Sequence, residues 1–237
     1  MRLPLLLSVP HGGLEVPDLV ADQSLLDLDA IVADGDEGAI ETYAPLAKRV
    51  RGFARADVAR AFVDMNRAED DLRKDGVVKT HTCWDVPIYR TPLTRPVTDE
   101  LIARYHRPYH ETLGRLARTE DVILGVDCHT MAAFGPPVGP DPGRPRPLAC
   151  LGVADGTCPP RWAETLAEHL REALGGDVRI NDPFRGGYII RSHARELPWV
   201  MLELSRTDAL SWPAKGAAVA RALEAWCARM GVRGASA

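Results

Sequence analysis

His11, Asn66-Arg67, Asp127-Cys128-His129 and Glu203 are the residues of this chain best suited to hydrolytic chemistry, and each falls at or near the end of an expected strand. His11 and His129 are candidate metal ligands. Neutral imidazole is the commonest metal-binding side chain, and a catalytic zinc takes three protein ligands and leaves one position for water. Asp127, two residues before His129, lies on the same side of an extended chain and could orient that imidazole. The third ligand should be a carboxylate, with Asp34, Asp36, Glu37 and Glu15 as the choices. The competing reading of a lone histidine is a structural residue satisfied by its neighbours. Two of them at strand ends, one beside a carboxylate, bring the metal reading level with it.

Asn66-Arg67 suits a different task, because an arginine fork matches a carboxylate two-for-two and a neighbouring amide can add a bond. Arg60, upstream, could stabilise a developing oxyanion; an exposed salt bridge is its ordinary alternative. Glu203 lies in the otherwise apolar run Trp199 to Leu204. A carboxylate there must be paired, neutral or functional, and partial burial would raise its pKa into the range of a general base. His106 and His110 share one helix face, but no glutamate follows His106 as in the zincin motif, which favours a structural or substrate-lining role. No phosphate loop, dinucleotide fingerprint or GxSxG elbow is present.

The elements that must position these groups follow from periodicity and breakers. The apolar run Leu3 to Val9 reads as a first strand leading into His11-Gly12-Gly13. Leu25 to Arg51 reads as mostly helical, interrupted near Pro45. Ala61 to Met65 reads as a second short strand, and 68–98 as a long loop covering a site. A helix is expected from about Thr98 to Arg118, then a strand over Val122 to Asp127. The Pro/Gly-dense stretch Phe134 to Pro147 reads as a loop. Strands over Leu148 to Val153, Val178 to Ile180 and Pro198 to Leu204 alternate with helices over Pro159 to Leu174 and within Ala209 to Met230. This alternation predicts a three-layer α/β/α sandwich around a mixed, largely parallel sheet, with residues 1–237 as one domain. In such sheets the ligand crevice lies beyond the carboxyl ends of the strands, where distant polar residues can converge.

Bulk properties narrow the function. A net charge of −4 argues against a general nucleic-acid binder, without excluding a local basic pocket for a small anion. The N-terminal apolar run is too short for a membrane span and lacks a signal-peptide cleavage pattern. Five scattered cysteines, odd in number and without a CxxC pair, favour free thiols in a reducing cytoplasm.

An ordered set of segments resembles the N-formylglutamate amidohydrolase family, whose fold is similar to that of zinc carboxypeptidases and aspartoacylases. The set comprises Val9-Pro10-His11-Gly12-Gly13, Asp36-Glu37-Gly38-Ala39, Val63-Asp64-Met65-Asn66-Arg67 and Tyr109-His110, then Asp127-Cys128-His129-Thr130, Asp155-Gly156-Thr157-Cys158, Asn181 to Tyr188 and Leu202-Glu203. It runs over about residues 3–206. The resemblance implies a zinc site, or one for another divalent transition metal, with His11 and His129 as ligands. It implies Asp36 as third ligand, with Glu37 the nearest rival. The carboxypeptidase-like folds usually carry a glutamate three residues after the first histidine; position 14 here is Leu, and Glu15 comes one residue late. It further implies Glu203 as general base to zinc-activated water, and Asn66, Arg67 and Arg191 on the substrate; the chemistry of the parts leaves the oxyanion to the metal and Arg60. The substrate would be a small N-acyl amino acid such as N-formyl-L-glutamate, with no nucleic-acid or membrane partner. A deacylase for another N-acyl amino acid, a small carboxypeptidase, or a non-catalytic carboxylate-binding protein are the alternatives.

Overall fold

Leu5, Leu7 and Val9 bury against one group of helices while Leu6 buries against another, the alternation expected of a strand covered on both faces. This strand, β1 (Leu3–Val9), sits inside a six-stranded sheet with β2 (Val50–Arg55), β3 (Leu124–Met131), β4 (Ala149–Gly152), β5 (Val178–Ile180) and β6 (Trp199–Ser205). The order is β2-β1-β3-β6-β4-β5, and only the β4–β6 pair runs antiparallel. The computed structural model describes residues 2–137 and 141–231. Val138, Gly139 and Pro140 of the Pro/Gly-rich stretch, and Met1 and 232–237 at the ends of the expected domain, lie outside the described residues.

Helices cover both faces. On one side lie α2 (Ala39–Tyr43), α5 (Pro160–Leu174) and α7 (Trp212–Arg229), whose apolar stripes meet Leu124, Val126 and Cys128 of β3. The other side is covered by α3 (Arg95–Leu101), α4 (Arg107–Ala117), α6 (Tyr188–Ser192) and buried loop residues such as Phe62 and Ile88. The remaining helix, α1 (Leu28–Asp34), starts at Asp27, whose side chain accepts from the Ala30 amide at 2.9 Å. The expected three-layer α/β/α sandwich with a mixed, largely parallel sheet is therefore the observed one.

Several expected elements differ. The mostly helical stretch expected over Leu25 to Arg51, interrupted near Pro45, is two short helices and a 3-10 turn (Ala44–Lys48) around Pro45, and the chain is already β2 by Val50. Ala61 to Met65 is a buried turn rather than a strand: Phe62 and Val63 amides bond back to Ala59, and Asp64 N bonds Val77 O. The helix expected from Thr98 starts at Arg95, with Thr94 at the N-cap position but its side chain making no capping bond. Between α3 and α4 the segment Ile102–His106 opens into a π-helical turn, which lets Pro108 enter a continuing helix without a clash one turn back. β3 runs on to Met131, so His129 lies inside the strand instead of beyond it.

Candidate metal centre and active-site cavity

His11 follows the end of β1, and the backbone ties Asp36 to it: the Asp36 amide donates to His11 O at 3.0 Å. His129 enters from β3. The chain crosses from β2 back over β1 to β3, so the carboxyl ends of β1 and β3 flank a switch point, where such sheets open a crevice. Gly13 lets the turn after His11 close on the next segment, since a Cβ there would lie 2.3 Å from the Asp57 carbonyl oxygen.

Three buried groups converge here. His129 Nδ1 lies 2.8 Å and His11 Nδ1 3.6 Å from Asp36 Oδ2. One ligand atom from each of His11, Asp36 and His129 falls within 4.8 Å of the other two. The far nitrogens face carboxylates: His11 Nε2 is 2.8 Å from Asp64 Oδ1, and His129 Nε2 is 2.9 Å from Asp127 Oδ2. Those carboxylates accept, so in a neutral ring each Nε2 carries the hydrogen and each Nδ1 presents a lone pair toward Asp36. Three lone-pair donors with one focus are satisfied by a cation, and a carboxylate behind each imidazole is the usual arrangement at a metal-bound histidine. The residues thus fit a divalent metal ion. Burial opposes charge on His129, but Asp127 and Asp36 outweigh it and hold its pKa well above the ordinary imidazole value. Burial likewise opposes charge on Asp36, and the two histidines overcome it, holding that carboxyl well below the usual range.

Asp127 is fully buried and satisfied: Ser8 Oγ donates to its Oδ1 at 2.9 Å, and Asn66 Nδ2 approaches its Oδ2 at 3.4 Å. The expected shared side of Asp127 and His129 is what the strand gives. Glu203 stands opposite His129 in the parallel β3–β6 register, so both point to the same face of the sheet. Burial pushes its pKa up to about 7, with His129 pulling down and Asp36 pushing up.

A cavity of about 450 Å³ opens over this group, lined by His11, Asp36, His129 and Glu203 and also by Arg60, Asn66 and Arg67. Arg60 donates through Nε to Asp64 Oδ2 at 3.1 Å and through Nη1 to Asp34 O at 3.3 Å. Arg67 reaches Asp75 at 3.2 Å at the rim. Asn66 commits its amide within the fold, its Oδ1 accepting from the Ile189 amide at 2.8 Å and its Nδ2 donating to Asp127 Oδ2 at 3.4 Å. Gly187 makes room for it, since a Cβ there would fall 2.3 Å from Asn66 Nδ2.

Arg191 does not join these residues. It is half-exposed on α6, pairs with Asp155 at 3.3 Å and does not line the cavity. Its place in the wall is taken by Arg206, whose Nη2 donates to Gly35 O at 2.6 Å and sits 3.9 Å from Asp36 Oδ1. Among the rival third ligands, Glu37 and Glu15 are exposed and Asp34 is bound to Lys79 at 2.7 Å. Asp64 is a site residue that its sequence surroundings do not reveal: its partner His11 is 53 residues away, and no local spacing announces the contact.

An open α/β sheet with a buried His-Asp-His cluster and a neighbouring carboxylate at its carboxyl edge defines a candidate metallohydrolase-type site. The sequence model of the N-formylglutamate amidohydrolase family matches residues 3–208, and the chain belongs to that family. It is 29% identical over 222 residues to an N-formylglutamate deformylase of Pseudomonas putida, covering 87% of this chain and 81% of that one. An N-formylglutamate deformylase of Pseudomonas aeruginosa is 28% identical over 220 residues, covering 86% and 81%. The crystal structure of an N-formylglutamate amidohydrolase from Ralstonia eutropha JMP134 superposes with a TM-score of 0.76 at 23% identity, over 97% of this chain and 93% of that one. At that identity the likeness shows the fold.

Proposed function

We propose that the chain is a metal-dependent amidohydrolase that cleaves the N-formyl, or a related N-acyl, amide of an amino acid such as N-formyl-L-glutamate. The observation that carries this reading is the meeting of His11, Asp36 and His129 with Glu203 in one arginine-walled cavity. The names of the deformylase relatives support the substrate.

His11, Asp36 and His129 would hold the metal, zinc or another divalent transition ion. When bound, it supplies Lewis acidity that acidifies water and polarises the amide carbonyl. Glu203 takes a proton from the attacking water and delivers it to the leaving nitrogen, releasing formate and the free amine. Its raised pKa suits both transfers. Arg60, fixed by Asp64, presents its guanidinium to the developing oxyanion. Arg67 grips a substrate carboxylate and Asn66 completes that wall, supplying orientation. The substrate is a free small molecule, and a cytoplasmic setting fits its chemistry; among the described residues no helix is long and apolar enough to cross a membrane.

The test is hydrolysis of N-formyl-L-glutamate by the purified protein and its Glu203→Gln variant, following formate release. Turnover by the parent and its loss in a variant that keeps its metal supports the reading. Equal turnover by both removes Glu203 from the mechanism, and no turnover by either on this or other N-acyl amino acids removes the activity.

A further inference from the structure

Behind the cavity wall lies a buried histidine cluster that the hydrolytic chemistry does not use. His110 Nε2 is 2.9 Å from Met65 O, and His106 Nε2 is 2.9 Å from Arg67 O. The two rings therefore hold the carbonyls on either side of Asn66. His110 Nδ1 is 2.9 Å from His193 Nε2, with the ring planes parallel within 4°. His193 Nδ1 is 2.6 Å from Glu196 Oε2, and the other Glu196 oxygen receives Arg118 Nη2 at 3.1 Å.

The partners along this line call for three N–H hydrogens over the two rings, one more than two neutral imidazoles carry, and the extra one belongs beside the Glu196 carboxylate. A carbonyl oxygen only accepts, so His110 carries its hydrogen on Nε2. Burial, with His106 and His193 adjacent, pushes the His110 pKa down to about 3, so the ring is neutral and its Nδ1 accepts. His193 Nε2 must then donate. Its Nδ1 faces a carboxylate held by an arginine, which accepts as well, so both nitrogens of His193 carry hydrogen. The line reads carbonyl, neutral imidazole, imidazolium, carboxylate, guanidinium, and each bond polarises the next.

We infer that His110 and His193 are positioning residues: His193, as an imidazolium paired with Glu196, locks His110 in the Nε2–H form and so fixes Met65-Asn66-Arg67 against the site. The segment matters because Asn66 lies against both Asp127 and His129, and Arg67 lines the cavity. His106 holds the other end of the segment, its Nδ1 buried with no hydrogen-bond partner among the described residues, as a neutral Nε2–H ring would leave it. The functional half of this inference rests on the hydrolase reading proposed above; the protonation pattern does not.

Two measurements test it. In the metal-loaded protein carrying 15N-histidine, long-range 1H–15N spectra at neutral pH should show His110 protonated at Nε2 only and His193 at both nitrogens. An Nδ1–H form of His110, or a neutral His193, overturns the relay even if no variant folds. Kinetically, His110→Ala should lower kcat/KM for N-formyl-L-glutamate by roughly 10–100-fold, with the larger share in KM. His110→Gln, which keeps an N–H for the Met65 carbonyl, should recover most of that loss. Equal kcat/KM in the parent and both variants overturns the positioning role. A parent protein without turnover refutes the hydrolase reading instead, and the ring-nitrogen signals still decide the relay.

Discussion

Asp64→Asn is the substitution whose consequence follows most closely from the geometry. The Asp64 side chain is buried, its Oδ1 receiving His11 Nε2 and the Asn66 amide, each at 2.8 Å, and its Oδ2 receiving Arg60 Nε at 3.1 Å. Burial opposes its charge, yet His11 and Arg60 outweigh that and hold the carboxyl well below its usual range. The isosteric amide has one oxygen. Placed toward His11, it turns an NH2 on the Arg60 guanidinium; placed toward Arg60, it turns the NH2 on two other donors. Either way a buried donor faces a donor, at about 1–3 kcal/mol. The His11 ring also loses the anion that makes its Nδ1 basic, which costs roughly 10–100-fold in metal affinity, or about 1.4–2.7 kcal/mol. Competition with a chromophoric chelator reads the metal affinity, and urea unfolding in excess chelator reads the metal-free stability. A variant that folds with parental stability and binds zinc as tightly as the parent refutes the role given to Asp64.

Glu203→Gln should lower kcat by about 10²–10⁴-fold, the usual share of a general base, with metal content unchanged on elemental analysis. The parent should show an acid limb in its pH–rate profile that the variant lacks, displaced below the metal-free value of about 7 by the charge of the bound ion. In metal-free protein the sign reverses for stability. A carboxyl raised from 4.5 to about 7 makes the folded state bind more protons than the unfolded one, so stability falls as pH rises through that window. Urea midpoints across it should fall more steeply for the parent than for Glu203→Gln. Lys79→Met leaves the Asp34 carboxylate buried and without its ammonium partner, and should cost about 3–5 kcal/mol by urea unfolding; adding Asp34→Asn should return part of that loss.

The parts of the molecule legible in its sequence are those whose signals are local. β1, β6, α5 and α7 carry clear apolar patterns, broken in β6 by Glu203, and the two-residue spacing of Asp127 and His129 reports a shared strand face whatever the strand's limits. β2 was not legible, because Val50-Arg51-Gly52 follows directly on a helical pattern and only pairing with β1 makes it extended. Conversely, Ala61 to Met65 has strand-like residues but buries them as a turn beneath α3 and α4. The site divides in the same way. His11, His129, Asn66, Arg67 and Glu203 stood out by residue type at expected strand ends, and the resemblance selected Asp36. Asp64, Arg206 and the His110–His193 line depend on contacts between residues distant in sequence. Arg191 has the right chemistry and lies close to the Gly186-Gly187 turn, but its helix turns it toward Asp155 and solvent.

Metal dependence underlies every role assigned to the site, and elemental analysis beside a formate-release assay, with and without chelator, tests it. About one divalent ion per chain, with turnover of N-formyl-L-glutamate lost to chelator and restored by zinc or cobalt, is the predicted result. Undiminished turnover by metal-free protein, or a folded chain that takes up neither ion, would contradict it.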